Sequence, residues 1–299
     1  MKQFIYKLIY NNHLNKILRN LNRILYPILP NNIKLPPSGI IRFKNNLGQV
    51  LNIKTNQTSY VTQLLFWDGY QNFEYTDIFI KLIKKVSVFY DIGANIGYYS
   101  LLAENENKNI KVIGFEPAVG PLFYFKENIK INKFKNIRVE ALALSHKQGE
   151  ITFYEVKNKK YKYLKHNLAG EGNSGSKKIG RNFMPINVKT TTLDKYVENS
   201  KEENIDLIKM DTEGTEHFIL ENSDNVLRLM KPIIICETLF NKIELKLEKL
   251  MCSYGYEFYN HTEMGLKKVD SIARKEDNNV RNCFFVHPDK FHLIEEFVK

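Results

Sequence analysis

The sequence predicts an α/β protein built around a mostly parallel sheet, and three observations lead there. From Val86 onward, short apolar runs alternate with helix-like segments, the rhythm of βαβ units. The runs "VSVFYD", "KVIGFEP", "IDLIKMD" and "KPIIICET" have the length and composition of buried strands. Each closes on an acidic residue, trailed in two of them by Pro or Thr. Parallel sheets bind ligands beyond the carboxyl ends of their strands, so those trailing residues carry the functional information.

The elements follow in order. In residues 1–30, Leu14, Ile17, Leu18, Leu21, Ile24, Leu25 and Ile28 recur at spacings of three and four, one apolar stripe of an amphipathic helix. Lys16, Arg19 and Arg23 lie off the stripe, and Pro27 and Pro30 end it. Such a basic amphipathic helix can lie on an anionic bilayer, or dock on its own domain or a second subunit. "PNNIKLPPSG" is a linker, which sets a boundary between an extension, 1–38, and a main domain, 39–299. "IIRFKNNLGQVLNIK" reads as a hairpin turning at Asn45 to Gly48, and Tyr75 to Lys85 as a helix. The core then runs strand 86–91, helix 96–107, strand 111–117, helix 118–132 and strand 136–144. "EITFYEV" adds a hairpin strand, and the Lys- and Gly-rich stretch 157–185 a long loop of the kind that serves function. Strand and short helix return over 186–199, with strand 205–211, helix 212–230, strand 231–238, helix 241–255 and late strands "YEFYN" and "NCFFVHP".

Composition narrows the function. The chain has 299 residues, a net charge of +11 and 43% hydrophobic residues. The basic balance suits nucleic acid, anionic lipid or an anionic glycan. The lysines are spread rather than striped, and no basic-aromatic stacking surface is evident, so no nucleic-acid partner is expected. Three scattered cysteines form no CxxC pair and the histidines no metal motif; no metal is assigned. No run of eighteen apolar residues is present, and Lys7 interrupts the only leader-like start. The expectation is a cytoplasmic protein, with residues 1–30 able to hold it at the inner face of a membrane.

The stretch "VFYDIGANIGYYSLLA", Val88 to Ala103, carries the first candidate site. Asp91, Gly93, Asn95 and Gly97 follow its strand in the pattern D-x-G-x-N-x-G. Gly93 allows a tight turn and close ligand approach, Gly97 allows helix–strand packing, and Asn95 tolerates a left-handed backbone. A pyrophosphate wants a bare helix N-terminus. A carboxylate in this loop repels phosphate and attracts an amine, which favours S-adenosylmethionine (SAM), with its ammonium and sulfonium, over a nicotinamide dinucleotide. Glu116, then Pro117, ends the next strand, where an acidic side chain can accept ribose hydroxyls. The third strand ends in "EALALS", whose backbone at Ala141 would border an adenine. "KMDTEGTEH" sets Asp211, Glu213, Glu216 and His217 at a fourth strand-to-helix turn. A hydroxyl acceptor needs its proton shared or removed, and Asp211, Glu213 and His217 are the candidates. Glu216 reads as a cap that complements a helix dipole. Glu237, ending the next strand, could line the acceptor side.

In order and wording, "FYDIGANIGYYS", "GFEP", "TTTLDKY" and "IDLIKMDTEGTEHFILEN" resemble the FkbM family of SAM-dependent methyltransferases over roughly Asp91 to Thr238. The resemblance implies a class I methyltransferase fold, a Rossmann-like seven-stranded sheet with its last strand antiparallel, and O-methylation, often of sugars or polyketide-type products. It assigns Asp91, Gly93, Asn95 and Gly97 to the SAM loop, Glu116 to the ribose and "DTEG" to the family's acidic motif. The loop with "GNSGS" resembles a segment near the active site. The expected acceptor is a sugar hydroxyl of a surface glycan, glycolipid precursor or related small molecule, with homo-oligomerisation possible. A nucleic-acid methyltransferase is the alternative, but the N/D-P-P-Y/F signature of base amino-methylation is missing after the fourth strand. A binding module that kept only the fold is the other.

Overall fold

Alternate residues of the central strands feed two separate cores, one on each face of a single sheet. Phe89, Val112, Leu207, Ile233, Ile235 and Phe284 pack on one side; Tyr90, Ile113, Ile208, Ile234, Cys236 and Phe285 pack on the other. Strands buried on both faces are near-continuously apolar, which is why these segments read as unbroken hydrophobic runs. The structure, a computed structural model, describes residues 1–29, 33–45, 48–156, 160–168, 183–202 and 204–299.

Helices α1 (Lys2–Ile9) and α2 (Asn12–Leu25) precede the hairpin β1 (Gly39–Lys44) and β2 (Val50–Thr55). Helices α3 (Tyr60–Trp67) and α4 (Thr76–Leu82) lead into the core. The core runs β3 (Val88–Ile92), α5 (Tyr98–Glu106), β4 (Lys111–Phe115), α6 (Val119–Asn132) and β5 (Ile137–Glu140). An insertion follows: β6 (Ala143–Leu144), β7 (Gly149–Val156) and β8 (Phe183–Thr191) form their own small sheet, in the order β6-β8-β7. The chain returns through α7 (Leu193–Ser200), β9 (Leu207–Met210), α8 (Glu216–Leu220), β10 (Ile233–Glu237) and α9 (Glu244–Ser253), then β11 (Glu257–Thr262), β12 (Gly265–Val269) and β13 (Asn282–Val286).

The main sheet has the order β12-β11-β13-β10-β9-β3-β4-β5. Strand β13 lies antiparallel between β10 and β11, as the resemblance implies. The sheet has eight strands rather than seven, because β12 folds back on β11 and adds an edge. Chain order reverses at β3, which pairs with β4 on one side and β9 on the other. The carboxyl ends of those three strands therefore open a crevice.

Two helices depart from expectation. The helix expected over 212–230 is broken: α8 has five residues, and Val226–Met230 forms a separate π-helical turn. The N-terminal helix is split, because Asn11 caps a new start by accepting from His13 N at 3.1 Å and Leu14 N at 3.4 Å. Its orientation is also the reverse of what an apolar stripe suggests. The buried residues of α2 are Asn15 and Arg19. Arg19 donates to the Ser38 and Ile40 carbonyls at 2.6 and 2.7 Å, and Asn15 Oδ1 accepts from Ser38 N at 2.7 Å. The polar face thus docks on Ser38 and the start of β1, while Ile17, Leu21, Ile24 and Ile28 stay 65, 50, 75 and 78% exposed.

Candidate functional site

The loop after β3 is shaped by what it must touch. Gly93 N and Ala94 N both donate to Phe115 O, at 3.1 and 3.0 Å, which ties the loop to the end of β4. Gly93 has φ 74°, and a Cβ there would lie 2.0 Å from Asp211 O. Loop and acidic turn are therefore in direct backbone contact. Gly97, at φ 84°, leaves room for the Phe125 ring, which a Cβ would meet at 2.1 Å. Asn95 takes the left-handed conformation, φ 51°. Gly93→Ala is expected to destabilise the fold by about 2–4 kcal/mol, from left-handed strain plus overpacking. Thermal unfolding would show this as a lowered Tm with SAM binding lost, and an unchanged Tm would contradict the contact.

Glu116 is buried beside that loop. Its carboxylate accepts from Asn95 N and from Ala118 N, each at 2.8 Å. Burial pushes its pKa up to about 7, against the pull of those two N–H donors. Asp91 sits lower. Its side chain is 1% exposed and does not line the cleft; Oδ2 accepts from Ser100 N and Ser100 Oγ at 3.1 and 2.6 Å, while Oδ1 has no hydrogen-bond donor. The carboxylate expected to face a ligand amine instead holds the start of α5 and lends the loop its charge from beneath. Burial raises its pKa too, with Lys209 and Ser100 opposing.

Lys209 connects the two halves. Its Nζ donates to Gly93 O at 3.0 Å and lies 3.7 Å from the Asp91 carboxylate and 3.5 Å from that of Asp211. Burial alone would favour the neutral amine, but Asp211, Asp91, Glu74 and Glu237 together outweigh it and raise its pKa. At the turn itself, Asp211 N donates to Ile92 O at 3.1 Å, and Glu213 adopts φ 60°. Glu216 holds the turn as a cap does, accepting from Thr212 N, Thr212 Oγ1 and Gly214 N at 2.7, 2.9 and 3.3 Å.

These elements bound a cleft of about 1070 Å³, large enough for a cofactor and part of an acceptor. Gly93, Asn95, Glu116, Pro117, Asp211 and Glu213 line it. Three others of the expected set, Gly97, His217 and Ala141, do not. His217 is buried and lies next to Phe218, ring centroids 3.9 Å apart; on the short helix the neighbouring Phe218 takes the cleft-facing direction and His217 turns inward. Ala141 is exposed where the chain leaves β5, and Leu142 and Ala143 line the cleft in its place. Glu237 is also outside the lining, with burial and then the Asp211, Glu213 and Glu216 charges raising its pKa. The "GNSGS" stretch lies outside the described residues, as do Lys157 and the end of its loop.

Sequence reasoning missed Glu74. It lines the cleft from just before α4, at φ 45°, and accepts from Tyr99 Oη at 2.9 Å. The protein packed around its carboxyl, then the Asp211 charge, pushes its pKa up to about 7. Its side chain remains open to the cleft, so cleft water screens part of that push until a ligand displaces the water. No local pattern marks this glutamate. Lys209 did carry a signal: a lysine inside an otherwise apolar central strand.

The cleft fits SAM. Among the described lining residues, Glu74, Glu116, Glu155, Asp211 and Glu213 outnumber Lys162, Lys165 and Lys209, so the excess is negative, and it suits a ligand carrying an ammonium and a sulfonium and disfavours a pyrophosphate. The pH dependence follows. Glu116, and less strongly the water-screened Glu74, hold their protons more tightly when folded, so the stability they add is full below about 4.5 and is lost as pH rises toward the Glu116 value of about 7. A cationic ligand prefers them ionised. SAM affinity is expected to rise about tenfold or more from pH 5 to pH 7.5 while the unliganded Tm falls. Calorimetric titration checks this, and Glu116→Gln is expected to flatten the profile.

A sheet of this order, with its last strand antiparallel and its cleft at the switch point, is that of the class I methyltransferases. The model of the methyltransferase FkbM domain matches residues 91–258, and the chain belongs to that family. The family is one of methyltransferases, and the acidic cleft suits SAM as its cofactor. The chain is similar to the FkbM methyltransferase structure from Methylobacillus flagellatus KT, at 13% identity and TM-score 0.44, covering 67% of this chain and 43% of that one. It thus spans less than half of that protein's length. It is similar to an rRNA methylase from Streptococcus thermophilus, at 14% identity and TM-score 0.36, over 70% of this chain and 90% of that one. It is likewise similar to M. jannaschii TYW2 in complex with AdoMet, at 13% identity and TM-score 0.38, over 85% of this chain and 90% of that one. No functionally curated protein matches the chain.

Proposed function

We propose that the protein methylates a hydroxyl group, on a sugar of a surface glycan, a glycolipid or a related small molecule. The observation that supports this most is the placing of Glu74, a cleft carboxylate with its pKa pushed up to about 7, beside Asp211 at the mouth of the acidic turn. An alcohol is a poor nucleophile until its proton is shared, and a base with a pKa near the working pH is best matched to take it. Glu74 accepts that proton, and Asp211, kept next to the Lys209 ammonium, orients the acceptor. The SAM loop at Gly93–Gly97 and the Glu116 carboxylate hold the cofactor, whose sulfonium supplies the methyl group. The small sheet of β7 and β8, with Tyr161, Leu164 and His166, walls the other side of the cleft and offers rings for a sugar face to stack on.

The test is methyl transfer from labelled SAM to fractionated acceptors: sugar nucleotides, extracted glycolipids, and transfer and ribosomal RNA. Label in the carbohydrate fractions, with the methyl carried as an ether, supports the reading. Label in RNA alone would replace it with the nucleic-acid alternative.

A further inference from the structure

Residues 1–67 contain nine Lys and Arg and no Asp or Glu, which leaves only +2 of the +11 net charge for the other 232 residues. The excess of positive charge is thus gathered in the N-terminal part of the chain. There, Phe4 and Leu8 of α1 are 72 and 52% exposed, and the stripe Ile17, Leu21 and Ile24 of α2, continued by Ile28 in the 3-10 turn after it, is exposed as well. Lys16 and Arg23 flank the stripe on one side of the helix.

A groove of about 610 Å³ runs between α2 and β1 along the same flank. Lys16, Arg19, Arg23, Arg42 and Lys44 line it, with no carboxylate among the lining residues. Arg19 and Arg23 stack over the Phe66 ring, 5.5 and 5.6 Å from its centroid. Arg19 is 3% exposed, and its Nε–H meets no acceptor among the described residues.

We infer that this face seats the protein on an anionic lipid bilayer, with the apolar stripe in the acyl boundary and the phosphate of an acidic headgroup in the basic groove. A helix that binds its own domain through Asn15 and Arg19 has its apolar side free for lipid. A second copy of the chain is a poor occupant, because a two-fold contact would set one uniformly basic face against another. No helix among the described residues is long and apolar enough to cross a membrane, so the contact lies in the interface plane. The face is joined to the cleft wall: Tyr6 and Tyr10 pack edge-on against Tyr161, at 5.3 and 5.4 Å, and Tyr163 Oη donates to Tyr6 O at 3.1 Å. Seating on lipid therefore holds the cleft next to the membrane surface, whatever the acceptor.

The test is co-sedimentation of the full chain with vesicles of phosphatidylcholine, alone or with about one third phosphatidylglycerol. Binding is expected to be about tenfold or more stronger on the anionic vesicles and to weaken with salt. Ile17→Asp with Ile24→Asp should abolish it, and Lys16→Glu with Arg23→Glu should lower it about tenfold or more. All four positions are exposed, and an unchanged circular dichroism spectrum and SAM affinity show that the variants fold. Equal or absent binding to the two vesicle types overturns the inference. So does a dimer in analytical ultracentrifugation that the Ile variants dissolve without any effect on vesicle binding, and so does binding of inorganic phosphate alone. None of these outcomes depends on the hydroxyl acceptor being correct.

Discussion

Glu74→Gln is expected to lower methyl transfer about 100- to 10,000-fold at saturating acceptor, the usual loss when a general base is removed. SAM affinity should change far less, because Glu74 contributes charge rather than a direct part of the Gly93–Gly97 loop. The rate of the unaltered protein should climb with pH through about 7, the value to which burial and the Asp211 charge push Glu74. In the variant that rise should vanish, since an amide has no proton to lose there. Single-turnover rates from pH 5.5 to 8.5 separate this from a purely structural role, which would scale the profile without changing its shape. A full rate in Glu74→Gln would transfer the proton to Asp211, whose own replacement by asparagine is the companion experiment.

Lys209→Met is expected to cost about 3 kcal/mol of stability, because it leaves the Asp91 carboxylate, 1% exposed, without the ammonium 3.7 Å away. The defect should depend on pH in a definite direction. Asp91 already has a raised pKa, and loss of the cation raises it further. A protonated Asp91 tolerates the missing partner, so the loss should be smaller at pH 5 than at pH 8. Asp91→Asn in the same chain should recover much of the stability while leaving the loop without its buried charge. Urea unfolding of the single and double variants measures the coupling. Additive effects would show that Lys209 and Asp91 are not coupled.

Much of this was legible in the sequence because the information is local. Strands buried on both faces must be apolar throughout, so β3, β9 and β10 announce themselves. The turn that follows β3 needs left-handed conformations at set positions, so Gly93, Asn95 and Gly97 do as well. His217 was misjudged because its type suits proton transfer while its direction is set by a five-residue helix that gives the cleft to Phe218. Ala141 falls just past the end of β5, where it is exposed and the lining passes to Leu142 and Ala143.

What the sequence determined by itself was the periodic and the turn-bound: the βαβ order, the antiparallel last strand by resemblance, the SAM loop and the acidic turn that faces it. The tertiary structure alone decided three things. It brought Glu74, 137 positions before Asp211 in the chain, into the same cleft. It sank Asp91 beneath its loop, onto Ser100. And it turned α2 over, so that Arg19 gives its donors to the Ser38 and Ile40 carbonyls while the apolar stripe faces outward, an orientation that no helical wheel records.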